Sequence, residues 1–210
     1  WIYERAGIID PVDPEDYVAH GGLTGLKKAL AMSGSDVVQA VTDSGLRGRG
    51  GAGFPAGIKW RTVADQAPTP HAGESQNAPA HKYICVNADE GDSGTFADRM
   101  LMEGDPFCLL EGMIIAAHAV GADRGLVYLR SEYPDAIATL QSAIRIAREL
   151  GWLGDNILGS DLCFDVEVRV GAGSYVCGEE TAMLESLEGR RGMVRAKPPL
   201  PAIKGLFGVP

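Results

Sequence analysis

Lys82-Tyr-Ile-Cys-Val86 runs straight into Asn87-Ala-Asp-Glu-Gly-Asp92, and this stretch decides the fold. A short apolar run bounded by a polar turn reads as a buried strand. Outward from it, Arg124 to Leu129 (RGLVYL) and the alternating Asp165 to Val170 (DVEVRV) read as two more strands. Helical stretches separate them. Asp105-Pro106 is a helix start with proline at the first helical position, and its apolar run continues to Val120. Pro134 opens a long amphipathic helix with Ile137, Leu140, Ile144, Ala147 and Leu150 on one face, ended by Gly151. Another helix begins near Glu179. Strands alternating with helices of this length predict an α/β fold, a mostly parallel sheet with helices on both faces. Upstream, Leu23 to Met32 reads as a short helix, and Ser35 as the cap of a second carrying Val37, Val38 and Val41. A short helical N-terminal segment therefore precedes the sheet. Pro68 to Ala80 is polar and reads as an exposed loop.

The chain has 210 residues, of which 28 are glycine and 45% are hydrophobic. Glycine is close to twice its usual share of about 7%, yet no G-X-Y period runs through the chain, so collagen and disorder are excluded. The excess marks places where backbone approaches something closely. A formal net charge of −9 argues against a nucleic-acid or anionic-membrane surface, while leaving a small phosphate compound possible. Cys85, Cys108, Cys163 and Cys177 form no C-x-x-C pair and read as free thiols in a reducing compartment. The longest apolar run, Met113 to Val120, contains His118 and is far short of the about 18 residues that a membrane span needs. No signal peptide is visible, so a cytoplasmic protein without membrane insertion is expected. Trp1 at the start and the apolar Gly205 to Pro210 at the end suggest a piece of a longer protein.

Three segments are site candidates. Gly48-Arg49-Gly50-Gly51-Ala52-Gly53-Phe54-Pro55-Ala56-Gly57 contains G-x-G-x-x-G, but after a helix rather than the strand a dinucleotide fingerprint requires. It is not a P-loop either, since Lys59 does not directly follow Gly57. Its N–H groups can turn toward a flat or phosphorylated ligand. The alternative is a flexible linker, for which Phe54, Pro55, Lys59 and Trp60 are odd choices. Asn87, Asp89, Glu90 and Asp92 stand at the carboxyl end of a strand, where open α/β sheets bind ligands. Their carboxylates can accept hydrogen bonds from ribose hydroxyls, a ring N–H or a carboxamide, or can form a solvated turn or cation site. Gly171 to Thr181 is again a glycine turn between strand and helix, with Tyr175, Gly178, Glu179 and Glu180. The two glutamates can equally serve only to offset the helix dipole, and Tyr175 either stacks on a ring or packs. His20, His71, His81 and His118 have no metal spacing, His118 reads as core, and no nucleophile–base order stands out. If the strands lie side by side, these segments converge on a crevice suited to an organic cofactor.

SGLRGRGGAGFPAGIKW (Ser44 to Trp60), NADEGDSGTFADR (Asn87 to Arg99), GAGSYVCGEETAMLESLEG (Gly171 to Gly189) and KPPLPA (Lys197 to Ala202) resemble the FMN- and NADH-binding subunit of respiratory complex I. That family includes the diaphorase subunits of NAD-dependent formate dehydrogenases and NAD-reducing hydrogenases. The resemblance covers nearly all of the chain after about Tyr17. Asp92-Ser-Gly-Thr-Phe-Ala-Asp-Arg-Met100 is closer to the formate dehydrogenase beta subunit, complex I members tending to read E-P-G-T-F-K-D-R. The resemblance implies a Rossmann-like domain holding FMN, with hydride passing between NAD and the flavin ring.

By motif position, residues 48–57, Lys59, Asn87, Asp89, Tyr175, Gly178, Glu179 and Glu180 would line the FMN, with Lys59 toward its phosphate or ring oxygens. NAD would stack over it and touch Phe54, Asp92, Glu180 and Lys197, Glu180 orienting the nicotinamide as the catalytic group. Leu200 and Thr62 stand where aromatics are common in complex I members, which thins adenine stacking, and Asp92 replaces a longer Glu. The implied division is a helical segment at 1–44 and an FMN/NAD-binding domain at 45–210. The family's N-N-V-E-T segment, ubiquitin-like domain and [4Fe–4S] cysteines are not within these residues, so no metal is assigned here. The implied partners are a thioredoxin-like [2Fe–2S] subunit and a large molybdenum-containing catalytic subunit. Alternatives are the complex I flavoprotein subunit, a hydrogenase diaphorase and, in a different class, a nucleotide-binding module without redox turnover.

Overall fold

The computed structural model describes residues 2–210; Trp1, on which part of the reading of the chain's start rests, lies outside them. In chain order come α1 (Pro14–Ala19), α2 (Thr24–Leu30), α3 (Gly34–Asp43), α4 (Ala56–Ala64) and β1 (Tyr83–Ala88). Then follow α5 (Ala97–Gly104), α6 (Pro106–Val120), β2 (Arg124–Arg130), α7 (Pro134–Glu149), β3 (Asp165–Gly171) and α8 (Glu180–Leu187). The strands lie in the order β1-β2-β3 and all pair in parallel, with Val86 opposite Val127 and Val127 opposite Val168.

The side-chain period of two sorts this sheet into two cores. On one face Val127 and Leu129 of β2 pack with Ala88, Val166 and the apolar sides of α6 and α7. On the other face Leu126 and Tyr128 meet Met183 and Leu184 of α8, together with Cys177 and Leu206. The expected α/β fold, a parallel sheet with helices on both faces after a helical N-terminal segment, is what the chain forms.

Local chemistry sets the helix ends. Asp105 accepts from the Cys108 N–H at 3.3 Å with Pro106 beside it, and α6 stops at Gly121, which adopts φ 72°. The cap of α3 is Ser33, not Ser35 as expected: Ser33 has the extended backbone a cap needs and accepts from the Asp36 N–H at 3.2 Å. Three helices lie outside the expected pattern. α1, α4 and α5 each bury a single residue, Tyr17, Gly57 and Met102, so none writes an apolar stripe into the sequence.

The N-terminal helices are tied down by one carboxylate. Glu111 of α6 accepts from the Tyr17 hydroxyl and from the Leu23 and Leu26 N–H groups, both at 2.8 Å. It thereby caps α2, whose own N-cap Leu23 has no side-chain oxygen and sits at φ 63°. Tyr17 is fully buried against Phe107 and Trp152. Burial and the Glu111 hydrogen bond push its hydroxyl pKa well above the usual tyrosine range.

Cys85, Cys108, Cys163 and Cys177 are all free thiols, and burial pushes Cys85 up to about 12. Among the described residues no helix is long and apolar enough to cross a membrane, and no group of His, Cys, Asp and Glu is placed to hold a metal ion.

Candidate functional site

β1 delivers Asn87 to the carboxyl edge of the sheet, and the turn Tyr175–Gly178 brings the start of α8 to the same edge. Asn87 Nδ2 donates to the Gly178 carbonyl at 2.7 Å, while Asn87 Oδ1 accepts from the Asp89 N–H at 3.2 Å. Across the opening the Tyr175 hydroxyl donates to Asp92 Oδ1 at 2.8 Å. Its ring lies on Gly91, where a Cβ would come within 2.7 Å of the ring. The rest of Tyr175 faces solvent, at 72% exposure, so it does not pack inside. Two of the three expected segments therefore meet directly.

The third arrives through one side chain. Lys59 of α4 reaches Glu180 Oε2 at 3.5 Å, and Lys197 donates to Glu180 Oε1 at 2.6 Å and to Glu179 Oε1 at 3.1 Å. Glu180 thus holds two ammonium groups. Glu179 has a second task as N-cap of α8, accepting from the Thr181 and Ala182 N–H groups at 2.8 and 2.9 Å.

The pKa values follow from these contacts. Burial opposes the charged form of Glu180, but the Lys197 hydrogen bond and the Lys59 charge outweigh it and hold the carboxyl below its ordinary 4.5. For Glu179, burial is likewise outweighed, by Thr181, Ala182 and Lys197. A carboxyl whose pKa is lower folded than unfolded stabilises the fold above the unfolded value, and that contribution fades as pH falls through the folded one. Thermal melts should therefore show Lys197→Met less stable than the wild-type protein at pH 7, with the gap closing as the pH drops below 4.5. A gap unchanged down to pH 3 would contradict the pairing.

The loop from Gly48 to Pro55 is closed at its base by Gly48 N–H to Phe54 O at 2.9 Å and Ala56 N–H to Leu46 O at 2.8 Å. Arg47 donates to the Gly53 carbonyl at 2.9 Å and Arg49 to the Arg47 carbonyl at 2.7 Å. Gly51 and Gly53 adopt φ 97° and 59°, and a Cβ at Gly50, Gly51 or Gly53 would meet open space. Phe54 stands half exposed beside them. Ala56 and Gly57 belong instead to α4. At Gly57 a Cβ would lie 2.3 Å from Thr42 Oγ1, so that glycine serves the close packing of α4 on α3.

Sequence reasoning passed over Arg130, although its place at the carboxyl end of β2 was a usable signal. It donates to the Glu90 carbonyl and pairs with Glu132 at 3.2 Å. The Glu90 side chain accepts from the Asp98 N–H at 3.0 Å, the Arg99 N–H at 3.3 Å and the Tyr133 hydroxyl at 3.2 Å. That carboxylate fixes the start of α5 and with it the loop bearing Asp92.

Asp89 Oδ2 is buried and has no hydrogen-bond partner among the described residues. Burial raises its carboxyl pKa, partly offset by the Arg130 charge. A buried acceptor without a donor at the end of β1 suits a ring that carries an N–H, and the Lys59 and Lys197 ammonium groups suit a phosphate. Residues 41–207 match the family profile described as the Nuo51 FMN-binding domain. The chain belongs to that family. It is 50% identical over 206 residues to the NADP-reducing hydrogenase subunit HndC of Solidesulfovibrio fructosivorans, covering 98% of this chain and 40% of that protein. It is also 50% identical over 195 residues to an NADH-quinone oxidoreductase subunit of Rhizobium meliloti (strain 1021), covering 92% and 44%. A solved NAD+-reducing [NiFe]-hydrogenase in the H2-reduced state aligns with a TM-score of 0.70 at 42% identity, over 86% of this chain and 29% of that one. This FMN-binding domain spans less than half the length of these relatives. The donor and acceptor set at Asp89, Asn87 and Lys59 fits an FMN.

Proposed function

We propose that this FMN-binding domain belongs to a diaphorase-type oxidoreductase subunit that passes hydride between NAD(H) and FMN and exchanges electrons with iron–sulfur clusters. Bound FMN supplies a ring that takes up or releases a hydride. The chain's own residues have the task of holding two flat rings in register and balancing charge around them. In this reading residues 48–57, Lys59, Asn87, Asp89, Tyr175, Gly178 and Glu179 hold the flavin. Phe54, Asp92, Glu180 and Lys197 meet the nicotinamide nucleotide, and Asp92 with the overall acidity favours NAD over a 2′-phosphate. Glu180 is the catalytic group, orienting the nicotinamide. The observation that carries the reading is the Lys59–Glu180–Lys197 arrangement at the start of α8, to which the unpartnered Asp89 oxygen just past β1 adds an open acceptor.

Residues 1–44 serve as a helical segment before the FMN/NAD-binding domain at 45–210, in a cytoplasmic protein whose [4Fe–4S] cluster lies elsewhere in the full-length subunit. More narrowly, we propose the diaphorase of an NAD-dependent formate dehydrogenase, partnered by a thioredoxin-like [2Fe–2S] subunit and a molybdenum-containing catalytic subunit. Support comes from the Asp92–Met100 motif. A second reading, a hydrogenase diaphorase, is favoured by the 50% identity to HndC over 98% of the chain. Metal analysis of the complex that co-purifies with the full-length protein separates them. Molybdenum with formate-dependent NAD reduction is the expected result; nickel with hydrogen-dependent reduction would overturn the narrower reading.

A further inference from the structure

Lys82, one residue before β1, is 4% exposed; its backbone N–H donates to Asp123 Oδ1 at 3.2 Å, while its ammonium forms no ion pair among the described residues. Its ammonium donates to the carbonyls of Val63 at 2.8 Å, Ala64 at 3.3 Å and Val120 at 2.9 Å. These oxygens come from the last turns of α4 and α6, where helices present unsatisfied carbonyls and the negative ends of their dipoles. All three N–H groups of the ammonium are thereby used on two helix ends. Burial lowers the Lys82 pKa, and the charge of Asp65, just past α4, opposes that fall.

The grip matters because α4 is shallowly seated. Gly57 alone of its residues is buried, pressed against Thr42, while Trp60, Val63 and Ala64 are only partly covered. α4 is thus held at its start by Gly57 and at its end by Lys82. Lys59, one turn before Val63, is the side chain that reaches Glu180.

We propose that Lys82 is a positioning residue for the cofactor site: its buried ammonium fixes the end of α4 and so sets where the Lys59 ammonium stands against Glu180. This rests on the reading of Lys59 as a site residue. Lys82 also immediately precedes β1, which carries Asn87 near its far end, so the same side chain sets α4 in register with the other half of the site.

The test is a double-mutant cycle on the full-length protein in its native complex, with NADH–ferricyanide kcat/KM as the readout. With Lys82 intact, Lys59→Met is expected to cost about tenfold, and in a Lys82→Met background less than about twofold, because the two losses share one cause. Lys82→Arg, which keeps charge and donors, should restore most of the Lys59 effect. If Lys82→Met does not fold, Lys82→Gln takes its place in the cycle, with amide hydrogen exchange along α4 expected to quicken. Losses that simply multiply, in either background variant, overturn the positioning role and leave the reading of Lys59 intact. A silent Lys59→Met with Lys82 present overturns that reading, and the proposal with it.

Discussion

Glu180→Gln is expected to lower NADH–ferricyanide kcat in the full-length protein by roughly ten- to a hundredfold while lowering rather than raising the KM for NADH. The carboxylate balances Lys197 at 2.6 Å and Lys59 at 3.5 Å. Glutamine keeps the shape and one acceptor but no charge, so Lys59 loses its carboxylate partner and Lys197 keeps only Glu179. Reduced nicotinamide nucleotide carries one more negative charge than the oxidised form and binds more tightly to a wall that has lost an anion. Hydride transfer then slows, because the group that orients the ring is gone and the more negative state is over-stabilised. Steady-state kinetics at several NADH concentrations separate the two constants. A kcat within twofold of the wild-type value would remove Glu180 from the catalytic role.

Glu111→Ala is expected to be the most damaging single change to stability. It strands the Tyr17 hydroxyl and the Leu23 and Leu26 N–H groups, which all converge on that carboxylate. Hydrogen bonds to a charged group are worth about 1.5–3 kcal/mol each and do not add fully, so a loss of about 3 kcal/mol is expected. For a domain of this size that lowers Tm by about 6–12 °C. Glu111→Gln, which still accepts but carries no charge, should fall between. Differential scanning calorimetry decides it, and a fall of less than about 2 °C would mean that apolar packing of Tyr17 alone seats the N-terminal helices.

These two residues show what a linear reading reaches. Glu180 was legible because it sits in a glycine-flanked turn after a strand, a position that open parallel sheets give to ligands. Glu111 was not, since its partners lie 85 to 94 positions away and carry no local mark. The three strands were legible to within two residues at each end. β2 is buried on both faces and β1 partly covered, which leaves an apolar run, while β3 buries Val166 and exposes Glu167 and Arg169, which leaves an alternation. α4 escaped notice for the opposite reason: a helix that buries only a glycine has no stripe to read.

At the site, the composition of each segment was readable, but its purpose was divided among neighbours. Gly57 looks like its loop companions in sequence and proves to be a packing glycine, while Glu179 spends most of its oxygen capacity on capping α8. The meeting of Lys59, Glu180 and Lys197, and the buried Lys82 behind Lys59, are tertiary facts without a sequence signature.

The central claim is that this domain holds a flavin which nicotinamide nucleotide reduces, and an anaerobic visible spectrum of the full-length protein in its native complex tests it most directly. The expected result is a flavin absorption band that bleaches on adding NADH and returns on adding an oxidant. A protein with no flavin band, or with a band that NADH leaves unchanged, would contradict the account.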